Sequence, residues 1–203
     1  MDNDQLEILF ATGNKHKIEE AKDIFSRFGF RVSQLIIDGE IPQLIEPQTD
    51  SIEEVSKSKI KQVREIIAGS RLEVAPILVE DSGLFIDSLG GFPGPYSSYI
   101  KEKIGLKGIL ELLRNSSSRE AQFMAAAAIY CDGKTTFAVG TCRGTISSEI
   151  KGTDGFGYDP IFIPNIGDGR TCGELSNEEK SLISHRSMAL KEAAKLLISR
   201  QSE

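Results

Sequence analysis

The chain has 203 residues, 39% hydrophobic and 27% charged, the balance of a folded globular protein rather than a disordered one. Lys and Arg total 24 against 30 Asp and Glu, so the net charge of -6 has the wrong sign for a protein held on nucleic acid or anionic lipid by charge alone. This length suits one domain, residues 1–203, without disulfide or metal staples, and Cys131, Cys142 and Cys172 are an odd set without paired spacing, as in reduced cytoplasmic proteins.

Met1 to Phe10 lacks a basic stretch followed by a long apolar run, and no segment approaches the roughly 18 apolar residues of a membrane span, so the expectation is cytoplasmic. Leu6 to Ala11 reads as a strand that stops at Thr12-Gly13-Asn14. Ile18, Ala21, Lys22 and Phe25 then recur at helical spacing until Gly29. Phe30 to Ile37 is a second strand, and Gly39 to Gln48, carrying Pro42 and Pro47, is a loop. Asp50 and Glu53 resemble a capping box ahead of an amphipathic helix with Ile52, Val55, Ile60, Val63 and Ile67 on one face.

Val74 to Val79 reads as a buried strand ending in Glu80-Asp81-Ser82-Gly83. A Gly and Pro loop leads to a helix from about Tyr96 to Arg114, with Ile100, Ile104, Ile109, Leu112 and Leu113 available to the core. Ala121 to Cys131 and Thr135 to Ile146 flank Asp132-Gly133, a strong hairpin signal because both residues tolerate positive φ. After Gly152 to Pro160 come a short strand at Ile161 to Ile163 and a final helical region, opened by Ser176 and Glu179 as a capping box. Ala189, Leu190, Ala193, Leu196 and Leu197 form its apolar face. The fold expected is α/β: a mixed sheet covered by helices.

Four places carry possible chemistry. The turn Thr12-Gly13-Asn14 sets a helix N-terminus beside Lys15, His16 and Lys17, which fits a phosphate cradle and also fits a plain turn. Glu80 and Asp81 suit magnesium, a hard cation, or simply close a strand; adjacent strand residues face opposite ways, so one of them looks into a site. Gly155-Phe156-Gly157-Tyr158-Asp159-Pro160 brings aromatics and close-approach backbone to a flat ligand or anchors a turn. Lys180 and Ser184-His185-Arg186 cluster cationic donors near a helix start, where a lone His is usually structural.

Thr12-Gly13-Asn14-x-x-Lys17, Glu80-Asp81-Ser82-Gly83-Leu84, Leu89-Gly90-Gly91-x-Pro93-Gly94-x-Tyr96-Ser97, Gly155 to Pro160, and Glu179-Lys180 through Ser184-His185-Arg186 with Ala189-Leu190-Lys191, in this order, resemble the inosine triphosphate pyrophosphatases. The resemblance runs from residue 8 to about 191. It implies an elongated mixed sheet with two lobes and a central cleft. It further implies hydrolysis of non-standard purine nucleoside triphosphates (ITP, dITP, XTP) to the monophosphate and pyrophosphate, with magnesium, in a homodimer. On that pattern Thr12 to Lys17 bind the triphosphate and Asp81 is proton acceptor and metal ligand, with Ser82 beside it. Phe156, Gly157, Tyr158, Asp159, Lys180, His185 and Arg186 bind the nucleotide, the aromatic stacking on the base and the His185-Arg186 pair lying near its edge, with Arg186 the candidate reader of the 6-oxo group. Between Gly39 and Ile60 the match is looser: spacing puts a second metal ligand at Glu46, with Glu40 or Glu80 as alternatives, and a phosphate-binding lysine at Lys59. Rival readings are a pyrophosphatase for pyrimidine or otherwise modified nucleotides and a nucleotide-binding module without turnover.

Overall fold

The computed structural model describes residues 5–201, the last two by their backbone alone; Met1 to Asp4 of the N-terminal stretch read above lie outside the described residues. Strand β1 (Glu7–Phe10) leads through the Thr12-Gly13-Asn14 turn to α1 (Lys15–Ser26) and β2 (Arg31–Gln34). Helix α2 (Ile52–Ile67) precedes β3 (Ile77–Ile86), a two-residue β4 (Pro93–Gly94) and α3 (Ser97–Leu112). The hairpin β5 (Glu120–Cys131) and β6 (Lys134–Ile146) turns at Asp132 and Gly133, both at positive φ. β7 (Phe162–Pro164), α4 (Asn177–Ile183) and α5 (His185–Gln201) complete the chain.

The strands lie in the order β2-β1-β3-β5-β6-β7, with β4 attached to β3. β1 runs parallel to β2 and β3, and the remaining pairs are antiparallel, so the sheet is mixed as expected. No helix among the described residues is long and apolar enough to cross a membrane.

Side-chain alternation along β3 organises the interior. Leu78 joins a core beneath α1 and α5 with Phe10, Phe25, Ala127 and Leu190. Ile77 and Val79 face the other way, into a core under α2 with Ile60, Val63 and Ile67. Leu84 and Ile86, on the Leu78 face again, enter a third core with Ile109, Leu113 and Phe162. Between the first and third cores, on that same face, stand Glu80 and Ser82. Two lobes thus share one long strand, and a cleft opens where polar residues interrupt its apolar face. The edge of β3 is interrupted there too: β1 pairs with it up to Leu78 and β4 only from Leu84.

Several local expectations are corrected. β3 does not end at Glu80: Val74 is 85% exposed, the strand starts at Ile77 and continues to Ile86, so Glu80 and Asp81 lie mid-strand, paired with Ala127 and Ala126 of β5. The cap of α2 is Ser51, whose side chain accepts from the Glu54 amide, one residue on from the expected Asp50 pair. In α3 a positive-φ Gly105 breaks the helical geometry, and Ile104 and Leu112 are exposed while Ile109 and Leu113 are buried. The last helical region is two helices, because Ser184 is extended and starts α5 afresh. Gly140 of β6 lets α5 lie against the sheet: a side chain there would collide with the carbonyl oxygen of His185.

Candidate functional site

At the end of β1 the chain turns sharply, and its polar side chains first serve the turn itself. Asn14 caps α1, its Oδ1 accepting from the amides of His16 at 3.0 Å and Lys17 at 3.3 Å, while Thr12 Oγ1 accepts from the Asn14 amide at 3.2 Å. Among the described residues the Gly13 and Lys15 amides of this turn are the ones left uncapped, fewer free donors than the bare spacing suggests. Lys17 points along the first turn into the cleft, 2.7 Å from Glu80 Oε2. Lys15 is exposed. The ring of His16 leaves the turn and stacks on Phe156, with centroids 5.0 Å apart and planes 9° from parallel.

Glu80 and Asp81 part company as neighbours on a strand must. Glu80 turns toward α1 and α5, between Lys17 and the Arg186 Nε at 3.2 Å. Burial works to raise its pKa, but Lys17 and Arg186 outweigh that and hold it at about 2. Arg186, 2% exposed, also donates from Nη1 to Glu20 at 2.8 Å and from Nη2 to Ser82 Oγ at 2.9 Å. Its N–H groups are therefore largely committed within the protein, and those carboxylates raise its pKa against the effect of burial.

Asp81 turns toward α2. Its Oδ1 accepts from Lys59 Nζ at 2.7 Å, and the same ammonium lies 2.6 Å from Glu46 Oε1. The structure thus brings Glu46 and Lys59, assigned by spacing across a loop and a helix, together with Asp81, assigned by its motif; Glu40 instead bridges to Ile37 by backbone bonds. Lys59 is held charged by Asp81 and Glu46 although burial opposes it. Asp81 is raised above the usual carboxylate range by burial, only partly offset by Lys59 and Lys17. Its second oxygen, Oδ2, is buried and accepts no hydrogen bond from the described residues. Such an atom in a polar site lacks a donor or a cation. Among the described residues no group of three or more His, Cys, Asp or Glu gathers as a metal cage. Two carboxylates suit magnesium, which takes one or two protein oxygens and fills its remaining positions from water and phosphate.

The opposite wall is the arch Gly155-Phe156-Gly157, with both glycines at positive φ. Asp159 fixes it, accepting from the Phe156 amide and from Lys180 Nζ, each at 2.7 Å. Lys180 Nζ and the Arg186 guanidinium lie 4.7 and 5.1 Å from the Phe156 ring centre, within cation–π range. Tyr158 is anchored in the third core and donates to the Ser97 carbonyl at 2.8 Å. A cavity of about 240 Å3 runs between these walls, lined among others by Lys17, Ser82, Phe156, Lys180 and Arg186. Ser97, Ser98 and Lys101 also line it, residues the sequence reading did not single out; only Tyr96-Ser97 in the Gly and Pro motif pointed there.

His185 closes the floor, stacked on Phe123 with centroids 4.8 Å apart. Burial, reinforced by Arg186, lowers its pKa well below 6.5 and keeps it neutral in the fold. Unfolding lets it bind a proton below pH 6.5, so its contribution to stability is complete above that pH and declines as pH falls, by up to about 1.4 kcal/mol per unit. Urea midpoints measured from pH 7 to 5 should show this decline, and His185→Gln should flatten it by one proton; an unchanged slope in the variant would place the titrating group elsewhere.

Fold and cleft together define an α/β protein with a pocket of fixed cations on one face of a strand and a lysine-bridged carboxylate pair on the other. The Ham1 family model matches residues 8–196, and the chain belongs to that family, as its motifs indicated. It is 44% identical over 191 residues to a dITP/XTP pyrophosphatase of Methanopyrus kandleri, covering 93% of this chain and 95% of that one. To the dITP/XTP pyrophosphatase of Thermococcus kodakarensis it is 41% identical over 192 residues, 95% and 97% of the two chains. Among solved structures, the Ham1 protein of Staphylococcus aureus superposes with a TM-score of 0.80 at 29% identity, covering 96% of this chain and 99% of that one.

Proposed function

We propose that the protein hydrolyses non-standard purine nucleoside triphosphates, dITP, ITP and XTP, to the monophosphate and pyrophosphate. The observation that carries this reading is the pairing of Asp81 with Glu46 across Lys59 on one face of β3, beside a pocket on the other face lined by Lys17, Lys180, Arg186 and the half-buried Phe156. A triphosphate needs local positive charge, and here cations from α1, α4 and α5 line one pocket, with Lys59 of α2 beside Asp81, in a chain of net acidity. The relatives named above carry dITP/XTP pyrophosphatase activity in their names.

In this mechanism Lys17 and Lys59 meet phosphate oxygens, with the uncapped amides of Gly13 and Lys15 in support. Asp81, made more basic by burial, takes a proton from the water that attacks the α-phosphorus; the bond to the bridging oxygen of the β-phosphate breaks, and pyrophosphate leaves with the electron pair. Magnesium held by Asp81 and Glu46 would supply further positive charge to the phosphate oxygens. Glu80 has no part as a metal ligand in this reading, because Lys17 and Arg186 occupy it on the other face of β3. The remaining N–H groups of Arg186 and of the Lys180 ammonium, which line the cavity, favour an acceptor at purine position 6 over the amino group of adenine, since a buried donor left facing another donor is costly. The working unit in this reading is a homodimer.

Pyrophosphate release from dITP, ITP, XTP, GTP, ATP and dUTP, each with and without magnesium, tests the proposal. Magnesium-dependent release favouring dITP, ITP and XTP is the expected result. Preference for dUTP would make it a pyrimidine nucleotide enzyme, and binding of ITP without release would make it a nucleotide-binding module.

A further inference from the structure

His16 and Phe156 reach each other from opposite lobes. His16 belongs to the first turn of α1, whose buried face lies in the first core, and Phe156 to the glycine arch that Tyr158 anchors in the third. Their rings nevertheless lie face to face, 5.0 Å apart and 9° from parallel. They also share a second cavity of about 460 Å3, with Lys180 and Ser184 in its lining, on the α1 side of the arch. Because Phe156 lines the first cavity as well, its ring is the wall common to both spaces.

We propose that His16 and Phe156 form a two-sided clamp for the purine ring, His16 covering the face of the base that Phe156 does not. The inference rests on the nucleotide reading given above and adds the second face of the stack, which assigns His16 to the base rather than to the phosphates. A flat ring between two others needs two gaps of about 3.5 Å, about 7 Å in all. From 5.0 Å the rings must part by about 2 Å, which the exposed His16 accommodates by rotating its side chain. Without a base the two rings cover each other, which keeps apolar ring surface from water.

Base-to-aromatic stacking sets the size of the effect: His16→Ala should raise KM for dITP and XTP roughly 5- to 100-fold with kcat within about twofold, and His16→Phe should restore KM. Inorganic tripolyphosphate, used as a competitive inhibitor, carries no base, so its inhibition constant should not change in His16→Ala. Thermal midpoints of both variants should match the parent protein. An unchanged KM in His16→Ala overturns the clamp. So does a tripolyphosphate constant that rises in step with KM, which would put the imidazole on the phosphates. If the parent protein turns over neither nucleotide, the functional reading itself has failed; equilibrium binding of ITP to the parent and to His16→Ala then reads the clamp separately, with equal affinities overturning it.

Discussion

Asp81→Asn should lose pyrophosphate release by a factor on the order of 10^3 or more while keeping its fold. The asparagine retains the shape of the side chain but removes both the proton acceptor and the anionic oxygen at Oδ2, and general-base groups alone are worth roughly 10^2 to 10^4 in rate. Stability should move the other way. A carboxylate whose folded pKa is raised above 3.8 is charged at some cost to the fold, so a neutral replacement should leave the thermal midpoint unchanged or higher. Lys59 keeps Glu46 as a partner at 2.6 Å, so no bare cation is left behind. Wild-type turnover in the variant would remove Asp81 from the mechanism, and a midpoint lowered by many degrees would make it a structural residue.

Its neighbour should behave in the opposite sense. Glu80→Gln leaves Arg186, 2% exposed, and Lys17 facing a neutral amide, and breaking a buried ion pair from one side costs about 3–5 kcal/mol. For a chain of this size that is a fall in the thermal midpoint of about 10 °C. The charge on Glu80 stabilises the fold fully above its unfolded value of 4.5 and ceases to do so as pH falls toward 2, so the variant should also lose the acid-induced destabilisation in that window. Glu20→Gln makes the useful comparison: it meets the same guanidinium, but its side chain is 31% exposed, and water can replace much of what is lost. Equal midpoints for the two variants would contradict the buried pair as the structural centre of the cleft. Two adjacent carboxylates would then be separated by experiment, Asp81 through rate and Glu80 through stability.

Much of this was legible in the sequence, and the exceptions have physical reasons. The Asp132-Gly133 hairpin and the Ser176 and Glu179 capping box depend on a few neighbouring residues, so local chemistry decided them. Glu46, Lys59 and Asp81 were each placed by motif or spacing, and the fold brings them onto one ammonium. The end of β3 was misjudged because charged residues inside a strand look like its boundary. Only the partners Lys17, Arg186 and Lys59, up to 106 positions away, make Glu80 and Asp81 tolerable mid-strand. The break in α3 at Gly105 was hidden for a related reason: a single glycine inside an apolar period does not announce whether it will adopt positive φ. The stacking of His16 on Phe156 had no sequence signal, since the two lie on separate lobes.

The unbroken passage of β3 through both lobes makes chemical identity depend on strand registration. Glu80 pairs with Ala127 and Asp81 with Ala126 within a ladder that continues from Ile77 to Ile86. A slip of one position would exchange the two faces, delivering Asp81 to Arg186 and Glu80 to Lys59. It would also turn Leu78, Leu84 and Ile86 out of their cores. The apolar residues on either side therefore act as a proofreading gauge: the hydrophobic cost of misalignment falls on Leu78, Leu84 and Ile86 rather than on the carboxylates, yet it determines which of them stands as base and which as counterion.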